Sequence, residues 1–107
     1  MGPEIQRQIR RDHPALAGHF PGNPLVPGVL LLSELLDILE QEAGVDRGPV
    51  MLTSVKFMRL LRPGEPFTVR WHLLPQEHIA FAVLRGEETI AAGTVRWGST
   101  LTKQVGS

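Results

Sequence analysis

The stretch that decides the fold runs from Gly18 to Leu36 and reads GHFPGNPLVPGVLLLSELL. Prolines and glycines crowd its front half, and a long apolar segment follows directly. Because proline fixes φ and restrains the residue before it, the front half predicts a stiff loop. From Val29 to Glu42 there is no proline or glycine, and leucine and glutamate are frequent, which predicts a helix.

The predicted helix is apolar around most of its circumference in the first turns. Its apolar residues stand at positions 29, 30, 31, 32, 35, 36, 38 and 39. A helix with this pattern is expected to be buried on most sides. Gly44 then supplies a stop signal.

Strand patterns surround this helix. Weak alternation over 4–11 predicts a first strand, and clearer patterns predict four more over 50–61, 67–74, 79–84 and 89–97. Short turns between the last four imply an antiparallel meander. The sum is an α+β architecture, with one helix lying against a curved antiparallel sheet. Sheet edges without cover favour pairing with a second copy.

Composition narrows the function. A length of 107 residues predicts a single domain over 1–107, and 11 basic against 11 acidic residues argue against nucleic-acid binding. The absence of cysteine excludes disulfides and thiol catalysis, and no histidine pair has a metal-ligand spacing, so neither metal nor cofactor is predicted. The N-terminus lacks the apolar core of a secretory signal, and no apolar run is long enough for a membrane span, so we expect a cytoplasmic location.

The quoted stretch resembles the signature of the hotdog-fold 3-hydroxyacyl-[acyl-carrier-protein] dehydratases of the FabA/FabZ type. SVKFMRLLRPGEPFTVR (54–70) is similar to the strand, turn and strand that follow in that family, and IAAGTVRW (90–97) resembles its final strand. The chain looks closer to the compact dehydratase-like proteins of aryl-polyene and related secondary pathways. The resemblance implies a hotdog fold, in which a curved antiparallel sheet wraps one long buried helix. It also implies a homodimer or a heterodimer with a hotdog homologue, and an acyl substrate delivered by an acyl carrier protein.

The resemblance further implies removal of water from a 3-hydroxyacyl thioester. His19 matches the catalytic base, and a histidine near its ordinary pKa suits that role. Gly28 and Val29 match the helix start whose backbone N–H groups receive the thioester oxygen, where unpaired donors and the positive helix end favour developing negative charge. The remaining substrate-binding positions implied by the motif are Phe20, Pro21, Gly22 and Pro27.

Ser33 is where the chain departs from the family pattern, which usually places glutamate or aspartate at this position. A serine hydroxyl could bond the substrate hydroxyl or hold a water, or it could simply bond back to the carbonyl of Val29. Asp37 lies one turn further along the same helix face, about 5 Å away along the axis. It is a candidate stand-in for the acid, or a polar residue that lines the tunnel or the interface.

Three functions therefore compete. The first is a dehydratase of fatty-acid or polyene-type biosynthesis, a lyase, with His19 as base and an altered acid. The second is a non-catalytic hotdog subunit that binds acyl-carrier thioesters or pairs with an active homologue. The third is an acyl thioesterase, which the intact HFPG sequence disfavours. Lys56, Arg59 and Arg62 could form a basic patch for the carrier protein, or could be solvated charges at strand ends.

Overall fold

The structure is a computed structural model that describes residues 3–16, 25–44 and 50–97. In these ranges the chain forms one α-helix, one short 3-10 turn at Pro14–Leu16 and one five-stranded sheet. The bounds are β1 (Glu4–Arg7), α1 (Gly28–Glu42), β2 (Val50–Phe57), β3 (Phe67–Leu74), β4 (His78–Arg85) and β5 (Glu88–Trp97). The α+β prediction is confirmed; the helix and β3, β4 and β5 begin and end close to their predicted positions, whereas β2 ends at Phe57 and not at Leu61.

The sheet order is β1-β3-β4-β5-β2, and every neighbouring pair is antiparallel. Only β3, β4 and β5 form a meander, so the expectation that β2 would be the first strand of that meander is wrong. Residues 58–66 carry the chain to the other side of the sheet instead of closing a hairpin. The reason is that the N–H groups of Met58 and Arg59 both donate to the carbonyl of Ile90 on β5, at 2.8 and 3.2 Å. These bonds hold the segment after β2 on β5.

The core lies between one face of α1 and the inner face of the sheet. The strand that gave the clearest pattern, β3, buries Phe67, Val69 and Trp71 as alternation requires, but Leu73 is 68% exposed near the strand end. The helix contributes four buried side chains to the same apolar cluster, namely Leu31, Leu35, Ile38 and Leu39.

The helix is buried on one face rather than on most sides, which corrects the prediction made from its apolar pattern. Val29 is 82% exposed, and Ser33 and Asp37 are exposed on the same face. The sheet of a single chain covers only one side of the helix, so the apolar residues beyond that side stay half-buried or exposed. In the described ranges no helix has both the length and the apolar character needed to cross a membrane.

Candidate active site

The first turn of α1 presents backbone donors that no side chain caps. Pro27 precedes the helix in an extended conformation, with φ −61° and ψ 144°. The first hydrogen bond of the helix runs from the N–H of Leu31 to the carbonyl of Pro27, at 3.1 Å. The N–H groups of Gly28 and Val29 therefore precede the first intrahelical bond. Among the described residues no side chain caps this end, and no acidic residue stands in the first turn, so its positive potential is available to a developing anion.

A cavity of about 240 Å³ opens beside this helix start. Its lining is apolar except for Arg59, and it is built by the pre-helix residue, the first helical turn and the segment after β2: Val26, Gly28, Leu31, Phe57, Arg59, Leu60 and Leu61. The N–H of Val26 donates to the carbonyl of Leu61 at 2.8 Å, which ties the two sides of the cavity together. An apolar cavity with few polar groups at its rim suits an apolar ligand with one polar end.

Phe57 stands directly over the start of the helix. A Cβ built on Gly28 would lie 3.3 to 3.4 Å from three atoms of the Phe57 ring, which is tighter than ordinary van der Waals contact. A residue with a side chain at position 28 would therefore press on the ring. Glycine lets the aromatic ring, or a ligand in its place, approach the helix backbone closely.

A charged cluster holds the outer wall of the cavity. Arg85 donates from Nη1 to the carbonyl of Leu60 at 2.9 Å and to Oε1 of Glu65 at 3.0 Å, and from Nη2 to Oε1 of Glu88 at 2.6 Å. Arg59 completes the cluster, with Nε 3.3 Å from Oε2 of Glu88. One guanidinium thus fixes the segment after β2 to the turn between β4 and β5.

The same contacts shift the titration of both carboxylates. The pKa of Glu65 is lowered first by the hydrogen bond from the backbone N–H of Arg62, at 2.7 Å, and then by Arg85. The pKa of Glu88 is lowered chiefly by its hydrogen bond with Arg85. Partial burial opposes both shifts, and the pKa of Arg85 is raised by the hydrogen bond that it donates to Glu88 and by Glu65. The cluster therefore stays fully charged around neutral pH.

Ser33 and Asp37 lie on the exposed face of α1, one turn apart and in line with Val29. Among the described residues no hydrogen bond joins the Ser33 hydroxyl to the Val29 carbonyl, so the alternative of a back-bonded serine has no support there. Neither side chain lines the cavity at the helix start. His19, with Phe20, Pro21 and Gly22, lies outside the described residues, so its catalytic role stays a prediction.

The basic patch expected from Lys56, Arg59 and Arg62 is weaker than the sequence suggests. Arg59 is paired with Glu88, which leaves Lys56 as an exposed charge at the end of β2. Sequence reasoning also missed the cavity wall, because it extended the strand to Leu61, whereas β2 ends at Phe57. In the sequence, the only signal for the end of the strand was the aromatic residue Phe57. In the described ranges no three potential metal ligands cluster.

This fold and helix start define a dehydratase-like protein of the hotdog class. A family model described as ApeI-like, ApeI dehydratase, matches residues 3–94, and the chain belongs to this family. Among solved structures, the dehydratase heterocomplex ApeI:P from Xenorhabdus doucetiae has a TM-score of 0.69 at 22% identity, covering 87% of this chain and 83% of that one. The hotdog-fold prediction is thereby confirmed.

Two further relatives mark the range of the likeness. The 3-hydroxyacyl-[acyl-carrier-protein] dehydratase FabZ from Acetivibrio thermocellus is 32% identical over 93 residues, which are 80% of this chain and 60% of that protein. A probable thioesterase from Bartonella henselae has a TM-score of 0.60 at 15% identity, covering 87% of this chain and 84% of the other. The latter shows the shared fold alone. The chain spans about half to three-fifths of the length of the curated FabZ proteins it matches.

Proposed function

We propose that the protein dehydrates 3-hydroxyacyl thioesters carried by an acyl carrier protein, in fatty-acid or polyene-type biosynthesis. The observation that carries the proposal is the uncapped start of α1 at Gly28 and Val29 beside an apolar cavity, in a chain of the ApeI-like family. The thioester oxygen would accept hydrogen bonds from these N–H groups while His19 removes a proton from the carbon next to the thioester. The electron pair then forms the double bond as hydroxide leaves from the β-carbon.

The departing hydroxide needs a proton, and Ser33 stands where the family usually has a carboxylic acid. A serine hydroxyl is far too weak an acid to replace it, so water or Asp37 would supply the proton in this chain. Because Ser33 is exposed on the same helix face as Val29, an aspartate at position 33 has room to reach a substrate bound at the helix start. Ser33→Asp is therefore expected to raise the dehydration rate.

The test follows the enoyl product by mass spectrometry after incubation of the purified protein with a 3-hydroxyacyl carrier-protein thioester. We expect turnover that disappears in His19→Ala and survives in Ser33→Ala, with Leu73→Ala as a control for an exposed substitution away from the site. Release of free carrier thiol instead of an enoyl product would show a thioesterase. Turnover that persists undiminished in His19→Ala would refute the proposed base.

Ser33, at the position where the family usually has an acid, is exposed. This also favours a second candidate, a hotdog subunit that is inactive alone and completes the site of a homologous partner. The solved relative in X. doucetiae is itself a heterocomplex. In this chain β2 is an edge strand of the described sheet, and its Met51, Leu52 and Phe57 are exposed. An apolar edge of this kind favours pairing with another strand, from a second copy or from a homologue.

Size-exclusion chromatography with light scattering tests the pairing. Leu52→Lys places a charge on the edge strand β2 and is expected to give a monomer, whereas Leu73→Lys places the same charge at an exposed position of β3, away from β2, and should leave the assembly unchanged. A wild-type monomer that gains activity only when a homologous hotdog chain is added would select the second candidate. A monomer that is fully active alone would exclude it.

A further inference from the structure

The cavity beside the helix start has walls of two different kinds. Most of the lining is anchored by backbone hydrogen bonds or belongs to the core. Val26 is bonded to Leu61 across the cavity, and Leu31 is a buried core residue of α1. At the outer wall, Arg85 donates to the backbone carbonyl of Leu60, which fixes the main chain there while the Leu60 side chain stays exposed.

Phe57 supplies the aromatic ring of this lining. It is the last residue of β2, where the strand ends, and its side chain remains 47% exposed although it contacts the helix at Gly28. The described residues give its ring no hydrogen bond and only partial burial, so few contacts oppose a rotation about its side-chain bonds. The Phe57 ring is thus a part of the wall that a ligand can displace, and it lies at the helix start where the thioester would be held.

We propose that Phe57 is a specificity-determining residue, which limits the length of the acyl tail that the cavity accepts. The inference rests on the proposed function, because it takes the occupant of the cavity to be the apolar tail of a thioester held at Gly28 and Val29. With the ring over Gly28 the tail must fit into the space that the ring leaves. With the ring displaced or truncated, the volume that it occupied is added to the cavity, so longer tails remain in contact with the protein.

The cavity volume sets the expected tail length. An apolar cavity of about 150 Å³ binds one benzene molecule, which has six carbons. At the same packing density the 240 Å³ beside Gly28 holds about ten carbons. The thioester itself stays outside, at the helix start, so the tail beyond it is expected to reach full contact at roughly eight to ten carbons.

The experiment measures binding separately from turnover. Saturated acyl-pantetheine amides, in which nitrogen replaces the thioester sulfur, are neither dehydrated nor readily hydrolysed, and they are titrated calorimetrically with tails of about four to twelve carbons. In the wild type, affinity should rise by up to roughly fourfold per methylene and then level off near eight to ten carbons. Phe57→Ala should bind the short tails more weakly and keep gaining beyond that point, whereas Phe57→Trp should level off earlier.

Two controls keep the outcome decisive. Leu73→Ala removes an exposed apolar side chain that does not line the cavity and should reproduce the wild-type series, and circular dichroism should show that each variant is folded. The same length dependence in Phe57→Ala as in the wild type, or no binding of any amide to the wild type, would overturn the role of Phe57. Graded binding without dehydration of any hydroxyacyl substrate would instead count against the dehydratase while leaving the tail limit standing.

Discussion

Replacing Gly93 by alanine should cost more stability than any other single-methyl addition in the sheet. Gly93 sits on β5 opposite Val55, next to the register shift between Leu52 and Ser54. A Cβ at this position would overlap the carbonyl oxygen of Ser54 and come within 2.9 Å of two further backbone atoms of β2. Since the obstacle is main chain and not a flexible side chain, the strand itself has to move.

The magnitude follows from how far β2 must retreat. A displacement on the order of 1 Å takes ladder hydrogen bonds from about 2.9 Å to nearly 4 Å, which breaks them. Losing two such bonds costs about 2 kcal/mol, and overpacking adds about 1–3 kcal/mol. We therefore expect Gly93→Ala to lower the free energy of unfolding by about 3–5 kcal/mol, or the melting temperature by at least about 12 °C in a chain of this size.

Urea unfolding followed by tryptophan fluorescence measures this loss directly, because Trp71 and Trp97 are both buried in the folded state. Gly86→Ala is the matched control. Gly86 has a φ of +63° but nothing within 4 Å of its Cβ position. Alanine there therefore costs only the strain of a left-handed backbone conformation, about 1 kcal/mol. A loss at Gly93 no larger than the loss at Gly86 would show that β2 does not lie this close to β5.

Two other perturbations test the turns that frame the sheet. Arg85→Met should lower the free energy of unfolding by an amount that depends on pH. The pKa values of Glu65 and Glu88 are lowered in the folded protein, so their ion pairs with Arg85 stabilise the fold fully above the unfolded pKa of about 4.3. This stabilisation is lost as the pH falls through the folded pKa values. The stability gap between wild type and variant, measured by urea unfolding from about pH 7 downward, should close below about pH 4; a constant gap would contradict this. Gln76→Gly should raise the free energy of unfolding by about 0.5–1 kcal/mol, seen as a higher urea midpoint, because Gln76 has a φ of 61° that glycine adopts without strain. A lower midpoint would show that the Gln76 side chain stabilises the turn.

Local patterns predicted most of the elements because each of them carries its own signal. The helix over 28–42 is free of interior breakers, and the strand over 67–74 alternates cleanly, so both were located to within a residue. No local pattern in the sequence indicates which strand β2 pairs with. Its position beside β5 depends on Gly93, whose missing side chain lets two backbones approach, and on the paired bonds to Ile90. A glycine within a strand indicates a bulge or a close approach, but not which strand approaches.

The candidate site divides in the same way. The uncapped helix start at Gly28 could be predicted, because proline and glycine before an apolar run fix where a helix begins. The amount of helix surface left exposed could not, since it depends on what covers the far side. A helix that is apolar around most of its circumference is buried on most sides only when structure packs against two of its faces. In the single chain the sheet packs against one face. Val29, Ser33 and Asp37 lie on the uncovered side.

This division bears on the missing acid. The cavity, Phe57 and the charged cluster at Leu60 all belong to one chain, so under the proposed function this chain supplies contacts of its own to the acyl tail. Ser33 does not line that cavity and lies on the exposed face of α1, in line with Val29. If position 33 is the proton-donor position, as the family pattern implies, its exposure leaves room for a carboxylate from a partner chain to take the place of the missing acid. Catalysis by this chain is therefore expected to depend on its assembly more strongly than its affinity for an acyl tail does.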